Sequence, residues 1–539
     1  MKTKSIKTEM PDQAGNVKKS KPKATAVKSS VKKPKKETIK LEEAIEALRT
    51  DEETQIFEEP HSRPLNVFFA SAECFPMAKV GGLADVVGSL PKYLKKAGVN
   101  TSVVIPAYEM PWYEGKLYRI VHQGHFHLGT EHLYFEVRYF LDDILGFPFY
   151  NIQIPSKFNR YGVYAGQDGY FFGDETERNI AFQRAFLTWL RDGHVNVDIV
   201  HCHDHHTGLI PFMMKYAYEF MSLAHIPTVF TIHNERYQGA FGWNKQSLLP
   251  QFDNWKSGLL EWNGVINPLS SAVRCSYRVT TVSPNYMNEL MHNSFGLEDL
   301  FRAEYWKCSG ILNGIDNEVW DPATDPMIDY HFKGDEILFK SENKKILCSI
   351  AGFDPSLPLY AFIGRLVLEK GAEFIAGIID TWLSRHRNVN FIVLGTGDKS
   401  IESAISAATS RHPSHVACLL TYNEAMSHKI YAGADFLLMP SRVEPCGLNQ
   451  MFSMRYGTLP IVRTTGGLKD SVKDISEDGG VGIRFDHMNF EQMLHAIGRA
   501  YDLYYNPEFK NHCVKRAMAL DYSWDASAQK YNEIYRSVV

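Results

Sequence analysis

The chain has 539 residues, 44% of them hydrophobic and 13% aromatic, which is enough for more than one packed domain. Its net charge of −4 excludes the strongly basic composition of a general nucleic-acid binder. The charge is unevenly distributed, because residues 1–40 carry 13 lysines and three acids while residues 41–60 carry eight acids and one arginine.

Residues 1–60 are predicted to precede the folded domains. Residues 1–40 contain no Phe, Trp or Tyr and cannot bury enough apolar surface to offset the entropy of ordering, so we predict a disordered Lys-rich tail. Helical spacing of apolar residues predicts a short acidic helix within residues 41–60. A solvated tail is the favoured interpretation, and contact with an anionic partner is the alternative.

The sequence shows no apolar signal segment and no long apolar span. Its eight cysteines are scattered and form no CxxC pair, which is typical of reduced thiols. We therefore expect a cytoplasmic protein that binds neither a membrane nor a specific nucleic acid. The sequence leaves its oligomeric state open.

The folded part begins with a strand–loop–helix–strand pattern. Residues 65–73 (LNVFFASAE) form an apolar run of strand length, and residues 83–94 place apolar side chains at helical spacing. Gly98 then marks the helix end, and residues 100–108 (NTSVVIPAY) predict a second strand. This is a βαβ unit, which implies a parallel sheet.

The same alternation continues to the end of the chain. Further predicted strands are VDIVHCHD, PTVFTIHN, PLYAFIGRL, NFIVLGTGD, ADFLLMPS and GTLPIVRTTGG. The polar, Pro- and Asp-rich residues 313–326 separate two such series. We predict an N-terminal α/β domain at 65–320 and a C-terminal α/β domain at 327–515.

Several charged motifs follow predicted strands, at the sheet edge where α/β proteins bind ligands. Lys79-Val80-Gly81-Gly82, called the glycine loop below, precedes a helix and is equally consistent with an anion site or an ordinary turn. It matches neither a Walker loop nor GxGxxG. In the second domain Arg365, Lys370 and Glu444 also follow strands. Cations on two facing walls with one carboxylate suit a sugar diphosphate.

The histidine cluster His201, His203, His205 and His206 raises the alternative of a zinc site. No partner motif supplies further ligands, so we predict polar side chains at a strand end and no metal.

The motifs KVGGLADVVGSLP, HCHDHHTGL, TIHN, LNGID, PSRVEPCGLNQ and YGTLPIVRTTGGLKD occur in this order along residues 65–539. The chain thereby resembles bacterial glycogen synthases and plant starch synthases, family 5 of the glycosyltransferases. The resemblance implies a GT-B fold, in which two Rossmann-like domains, at 65–320 and 327–515, face each other across a deep cleft. It also implies a C-terminal helix within residues 516–539 that packs back on the N-terminal domain. It also implies a hexosyltransferase that moves glucose from ADP-glucose to the non-reducing end of an α-1,4-glucan, with retention and without a metal or cofactor.

The resemblance implies roles for individual residues. Lys79, Gly81 and Gly82 are expected near the diphosphate and the transferred glucose. The remaining residues expected to be catalytic are Asp204, His233, Arg365, Lys370 and Glu444. The remaining residues expected to bind substrate are Asp85, Tyr422, Cys446, Gly447, Asn449, Gly466 and Gly467.

Thr421 and Asn449 depart from the family pattern of Gly and Thr, which leaves the choice between ADP-glucose and UDP-glucose open. A side chain at Thr421 would be strained if the backbone there required a positive φ. Glycoside hydrolysis by Asp204 and Glu444 is an alternative chemistry. The phosphate-binding cations argue against it, and the complete set of charged residues argues against a non-catalytic glucan-binding protein.

Overall fold

The structure is a computed structural model that describes residues 63–141, 145–166, 170–385 and 388–539. The predicted tail and acidic helix of residues 1–60 lie outside this part of the chain.

Within the described residues, nine strands form one sheet in the order β11-β10-β7-β6-β1-β2-β5-β4-β3. Neighbours from β11 to β5 are parallel, and β4 and β3 add an antiparallel arm. The strands are β1 Leu65–Ala70, β2 Val99–Pro106, β3 Tyr118–Leu128, β4 Glu131–Phe140, β5 Phe149–Gln153, β6 Ile199–His203, β7 Thr228–Ile232, β10 Arg278–Thr281 and β11 Cys308–Gly310. A separate small hairpin pairs β8 Glu261–Trp262 with β9 Val265–Ile266.

A second, six-stranded sheet in the same described region is entirely parallel, in the order β14-β13-β12-β15-β16-β17. Its strands are β12 Leu359–Ile363, β13 Asn390–Leu394, β14 Val416–Leu419, β15 Phe436–Met439, β16 Leu459–Arg463 and β17 Ile483–Phe485. β12, β13 and β15 are apolar except for Asn390 at the start of β13, and they are largely buried, as expected for parallel strands covered on both faces.

Helices cover both sheets. The α-helices are Gly82–Lys96, Glu175–Asp192, Ile210–Tyr216, Pro268–Cys275, Pro284–Leu290, Glu298–Glu304, Glu336–Ala351, Ile375–Arg385, Lys399–Arg411, Glu424–Gly433, Asn449–Arg455, Gly466–Ser471, Phe490–Tyr504, Pro507–Ala519 and Trp524–Arg536. Short 3₁₀ helices occur at Pro111–Tyr113, His205–Thr207, Tyr218–Leu223, Trp243–Leu248, Asn254–Leu259, Tyr305–Lys307, Leu368–Lys370 and Ala372–Phe374. None of the helices described is both long and apolar enough to cross a bilayer.

The helix Gly82–Lys96 fixes the position of the glycine loop. Leu83, Val87 and Leu94 recur at helical spacing and are buried, so this face is anchored in the first core. A Cβ on Gly88 would lie 2.5 Å from the Phe75 carbonyl oxygen, so only glycine allows the helix to approach the preceding loop this closely.

The last helix, Trp524–Arg536, packs on the first sheet rather than the second. Trp524 and Tyr531 are buried in the same core as β1 and β6. The Tyr535 hydroxyl lies 2.7 Å from Nδ1 of the fully buried His201, whose Nε2 lies 2.6 Å from Thr231 Oγ1. The chain therefore returns to its first half at its end.

Replacing Tyr535 by phenylalanine is expected to destabilise the protein by about 1–3 kcal/mol, because a buried imidazole nitrogen loses its partner. Urea unfolding measures the change. Tyr118→Phe, at an exposed ring on β3, serves as the control and is expected to have little effect. Equal effects of the two substitutions would show that the His201–Tyr535 contact does not anchor the helix.

Candidate active site

The carboxyl ends of the parallel strands of both sheets line a common cavity of about 690 Å³, called the cleft below. From the first half, the predicted residues that line it are Lys79, Gly81, Gly82, Asp85, Asp204 and His233. From the second half, they are Arg365, Lys370, Tyr422, Glu444, Cys446, Gly447 and Asn449. Residues more than 350 positions apart in the sequence thus share one site.

The glycine loop is held by a buried carboxylate that the sequence patterns did not single out. Glu73 accepts hydrogen bonds from the backbone N–H groups of Val80 at 2.6 Å and Gly81 at 2.9 Å, and from the Tyr164 hydroxyl at 2.7 Å. Burial raises the pKa of Glu73, and these hydrogen bonds oppose that effect. Two donors that could cradle a phosphate are therefore already engaged. The position of Glu73 shortly after β1 was the sequence signal that could have identified it.

The positive charge of the glycine loop comes from Lys79. Its ammonium lies 2.7 Å from Asp85 Oδ1, on the first turn of the helix that follows. Both side chains are about one-third exposed toward the cleft. An anion entering the cleft therefore meets a mobile cation that is already paired, rather than a row of free backbone N–H groups.

Asp204 has an unusual backbone and a perturbed carboxyl group. Its φ of 55° with ψ of 178° is a conformation that almost only glycine adopts, so the surrounding fold must impose it. Its Oδ1 accepts hydrogen bonds from the backbone N–H groups of His233 at 2.7 Å and Asn234 at 3.4 Å. Burial is the main cause that raises its pKa to about 7, and the charges of Glu73 and Glu235 add to it.

His233 lies beside this carboxyl group and is neutral. Burial lowers its pKa to about 3. Its Nε2 lies 3.0 Å from Nδ1 of His203, whose pKa burial also lowers. His233 can therefore offer the cleft a hydrogen-bonding imidazole but no positive charge.

The Asp204 carboxyl group makes stability depend on pH. Its native pKa lies above 3.8, the ordinary value of an aspartate side chain, so the unfolded chain loses this proton first and the free energy of unfolding falls as the pH rises from about 4 to about 7. Asp204→Asn keeps an oxygen acceptor but cannot ionise. We expect this variant to be more stable than wild type by about 2–4 kcal/mol at pH 8, with the gain shrinking toward pH 4.

Urea unfolding at a series of pH values measures this gain. Asp478→Asn, at a fully exposed carboxylate, is the matched control and should show no such pH-dependent gain. A constant stability difference between Asp204→Asn and wild type across this pH range would contradict the raised pKa.

The second half contributes a buried ion pair. The Lys370 ammonium donates to both carboxylate oxygens of Glu444, at 2.7 and 2.6 Å, and the Ser441 hydroxyl donates to Glu444 Oε2 at 2.9 Å. Glu444 is buried, so its charge depends on these partners. Arg365 is more exposed and lies 3.6 Å from Glu369. This wall of the cleft thus has one cation held by hydrogen bonds, Lys370, and one exposed cation, Arg365.

Three further predicted residues occupy the rim and floor of the cleft. Tyr422 is 71% exposed, and its hydroxyl donates to Glu424 at 2.9 Å. Asn449 donates from its side chain to the Ile363 carbonyl at 2.9 Å. The backbone at Thr421 does not have a positive φ, so its side chain causes no strain there.

Gly466 and Gly467 are not among the residues that line the cleft. Their backbone supports the Glu444 turn from behind, since the Gly467 N–H donates to the Glu444 carbonyl at 3.2 Å. A Cβ on Gly466 would lie 2.0 Å from that carbonyl oxygen. Glu289 of the first half accepts the Gly466 N–H at 2.9 Å, which connects this support to the opposite wall. Sequence patterns did not single out Glu289.

Comparison with known proteins agrees with this architecture. Residues 66–303 match the family described as the starch synthase catalytic domain, and residues 344–518 match glycosyl transferases group 1. A glycogen synthase from Flavobacterium johnsoniae is 46% identical over 478 residues, which cover 88% of this chain and 99% of that protein. The chain belongs to the glycogen and starch synthase family.

Other glycogen and starch synthases support this assignment. A glycogen synthase from Finegoldia magna is 37% identical over 487 residues, covering 88% of this chain and all of that protein. The catalytic domain of starch synthase IV from Arabidopsis thaliana, solved bound to ADP and acarbose, is 32% identical and superposes with a TM-score of 0.79 over 88% of this chain and 99% of that one.

Membership of the glycogen and starch synthase family confirms the predicted GT-B fold and identifies the chain as a hexosyltransferase of glycogen or starch synthesis. A sucrose-phosphate synthase from Thermosynechococcus elongatus, 14% identical with a TM-score of 0.55, shares the fold alone. The roles of individual residues and the domain boundaries stay predictions.

Proposed function

We propose that the protein transfers glucose from ADP-glucose to the non-reducing end of an α-1,4-glucan, with retention of the anomeric configuration. The observation that carries this proposal is the cleft itself, where Lys79 faces Arg365 and Lys370 across the carboxyl ends of two sheets. Two walls that both carry cations can bind the negatively charged oxygens of a diphosphate. A starch synthase of the same family was solved with ADP and acarbose, a nucleoside diphosphate and an oligosaccharide analogue.

Lys370 and Glu444 form the centre of the proposed mechanism. An ammonium group has three donors, and two of those of Lys370 already contact Glu444. The third can contact the diphosphate as the glycosidic C–O bond breaks. Glu444 in turn accepts hydrogen bonds from hydroxyls of the donor glucose. One ion pair thereby couples the leaving group to the sugar, and Arg365 adds charge where the diphosphate leaves.

The first half supplies the proposed contacts to the transferred sugar. Asp204 and the neutral His233 face the cleft from neighbouring strand ends. A neutral imidazole can hydrogen-bond a hydroxyl without repelling the positive charge that develops at the anomeric carbon. Lys79 and Asp85 are proposed to lie near the diphosphate and the sugars.

The proposed nucleotide contact is the exposed ring of Tyr422, which can stack on adenine at the rim of the cleft. Asn449 is proposed to lie close by on the floor of the cleft. An aromatic ring stacks on adenine and uracil alike, so Tyr422 does not distinguish ADP-glucose from UDP-glucose. An experiment must identify the donor.

The test measures glucose incorporation into glycogen from ADP-glucose and from UDP-glucose side by side, with release of the nucleoside diphosphate and the anomeric configuration of the new linkage. We expect efficient transfer from ADP-glucose into α-1,4 linkages. Preference for UDP-glucose would overturn the donor assignment. Release of free glucose from glycogen without any donor would indicate hydrolysis instead.

A further inference from the structure

Two histidines and one glutamate form a cluster on the cleft wall that the proposed reaction does not use. Glu175, His205 and His206 each place one possible ligand atom within 4.8 Å of the others. Glu175 begins the helix Glu175–Asp192, whereas the histidines lie on the turn after β6. His205 Nε2 lies 3.1 Å from Glu175 Oε1. Glu175, 30 residues upstream of His205, thus supplies the third possible ligand that the histidine motif itself lacks.

The two imidazoles are buried without sufficient partners. His205 and His206 are only 5% and 8% exposed, and their ring centroids are 3.7 Å apart. In the part of the chain that the structure describes, Nδ1 of each ring has no hydrogen-bond partner. Tyr164 stacks on His206 at 4.9 Å and fixes the ring plane. This differs from His201, both of whose nitrogens contact a hydroxyl.

Charged groups of both signs surround the cluster. Glu73 and Asp204 line the same cleft as Glu175. Arg178 is a nearby cation, and its guanidinium donates to the carbonyls of Lys157 at 3.1 Å and Val163 at 3.2 Å. Arg178 thus directs two of its donors to backbone oxygens, while its Nη2 has no hydrogen-bond partner among the described residues.

We propose that Glu175, His205 and His206 bind a divalent transition-metal ion of the zinc type. Two imidazole nitrogens and one carboxylate oxygen suit this class of ion. Ligand atoms around a tetrahedral zinc lie about 3.4 Å apart, so the most widely separated ligand atoms, at up to 4.8 Å, must approach by up to about 1.4 Å. The half-exposed Glu175 side chain has room for such a movement. This site departs from the sequence-based expectation of no metal and does not depend on the proposed transfer reaction.

The test uses the full chain treated with a chelator and then titrated with Zn²⁺ alone by equilibrium dialysis, with Co²⁺ as a spectroscopic probe of tetrahedral N/O ligation. We expect one tightly bound ion per chain. His206→Gln and Glu175→Gln should each weaken binding at least about 100-fold, since loss of even an outer-shell partner costs 10- to 100-fold. Zn²⁺ should raise the melting temperature of wild type but not of these variants.

The matched control is His132→Gln, in the exposed hairpin group where the His132 ring lies 5.0 Å from His125 and 4.8 Å from His127. It should leave tight binding unchanged. Unchanged affinity in Glu175→Gln, or loss of tight binding in His132→Gln, would overturn the proposal. Because Glu175 is half-exposed, its variant keeps the test valid even if His206→Gln fails to fold.

Discussion

Replacing Glu444 by glutamine is expected to lower the turnover number by about 100- to 1000-fold while leaving ADP affinity near that of wild type. The substitution keeps the shape and one acceptor oxygen. It removes the charge that pairs with Lys370 and that stabilises positive charge developing on the donor sugar. Because Glu444 is proposed to hold the sugar and not the nucleotide, the loss should appear in turnover. Steady-state kinetics and ADP titration measure the two quantities.

Glu424→Gln is the matched control for this prediction. It makes the same change at a second carboxylate that lines the cleft, where the partner is the Tyr422 hydroxyl rather than a lysine. We expect a much smaller loss of turnover. If Glu444→Gln retained near-normal turnover, or weakened ADP as strongly as removal of Lys370, the assignment of the sugar pocket would be wrong.

Removing either cation of the second half is the other change with a large expected effect. Arg365→Ala and Lys370→Ala should each reduce turnover by about 100- to 1000-fold, or about 3–4 kcal/mol, because their contact with the diphosphate strengthens as the glycosidic bond breaks. Glucan binding should change little. Measuring turnover and glucan affinity for both variants separates these effects.

The two variants should differ in stability. Lys370→Ala leaves the buried Glu444 carboxylate without its cation, so its melting temperature should fall. Arg365 is largely exposed and lies 3.6 Å from Glu369, so its variant should unfold like wild type. Arg385→Ala, at the far end of the helix that follows, is the control for loss of an exposed cation. Equal turnover in Arg365→Ala and Arg385→Ala would rule out a catalytic role for Arg365.

Much of the fold could be predicted from the sequence because most of its parallel strands are short, largely apolar runs. β1, β6, β7, β12, β13, β15 and β16 fall within predicted strands, and β2 begins one residue before its predicted strand. The antiparallel arm β3–β4 was not predicted, since β3 is largely exposed and lacks an apolar run. The helix that the strand–helix alternation implies between β6 and β7 is interrupted at Ala217, which adopts an extended conformation.

The sequence by itself determined that several charged groups reach the cleft, because a residue that follows a parallel strand lies at the carboxyl edge of its sheet. Lys79, Asp204, Arg365 and Glu444 all obey this rule. Only the tertiary structure decided their partners. Contacts between distant segments, such as Lys370 with Glu444 and Tyr535 with His201, depend on how the elements pack, and no local pattern encodes them. The sequence likewise predicted that the glycine loop lies at the cleft. Only the packing decided that two of its N–H groups donate hydrogen bonds to Glu73.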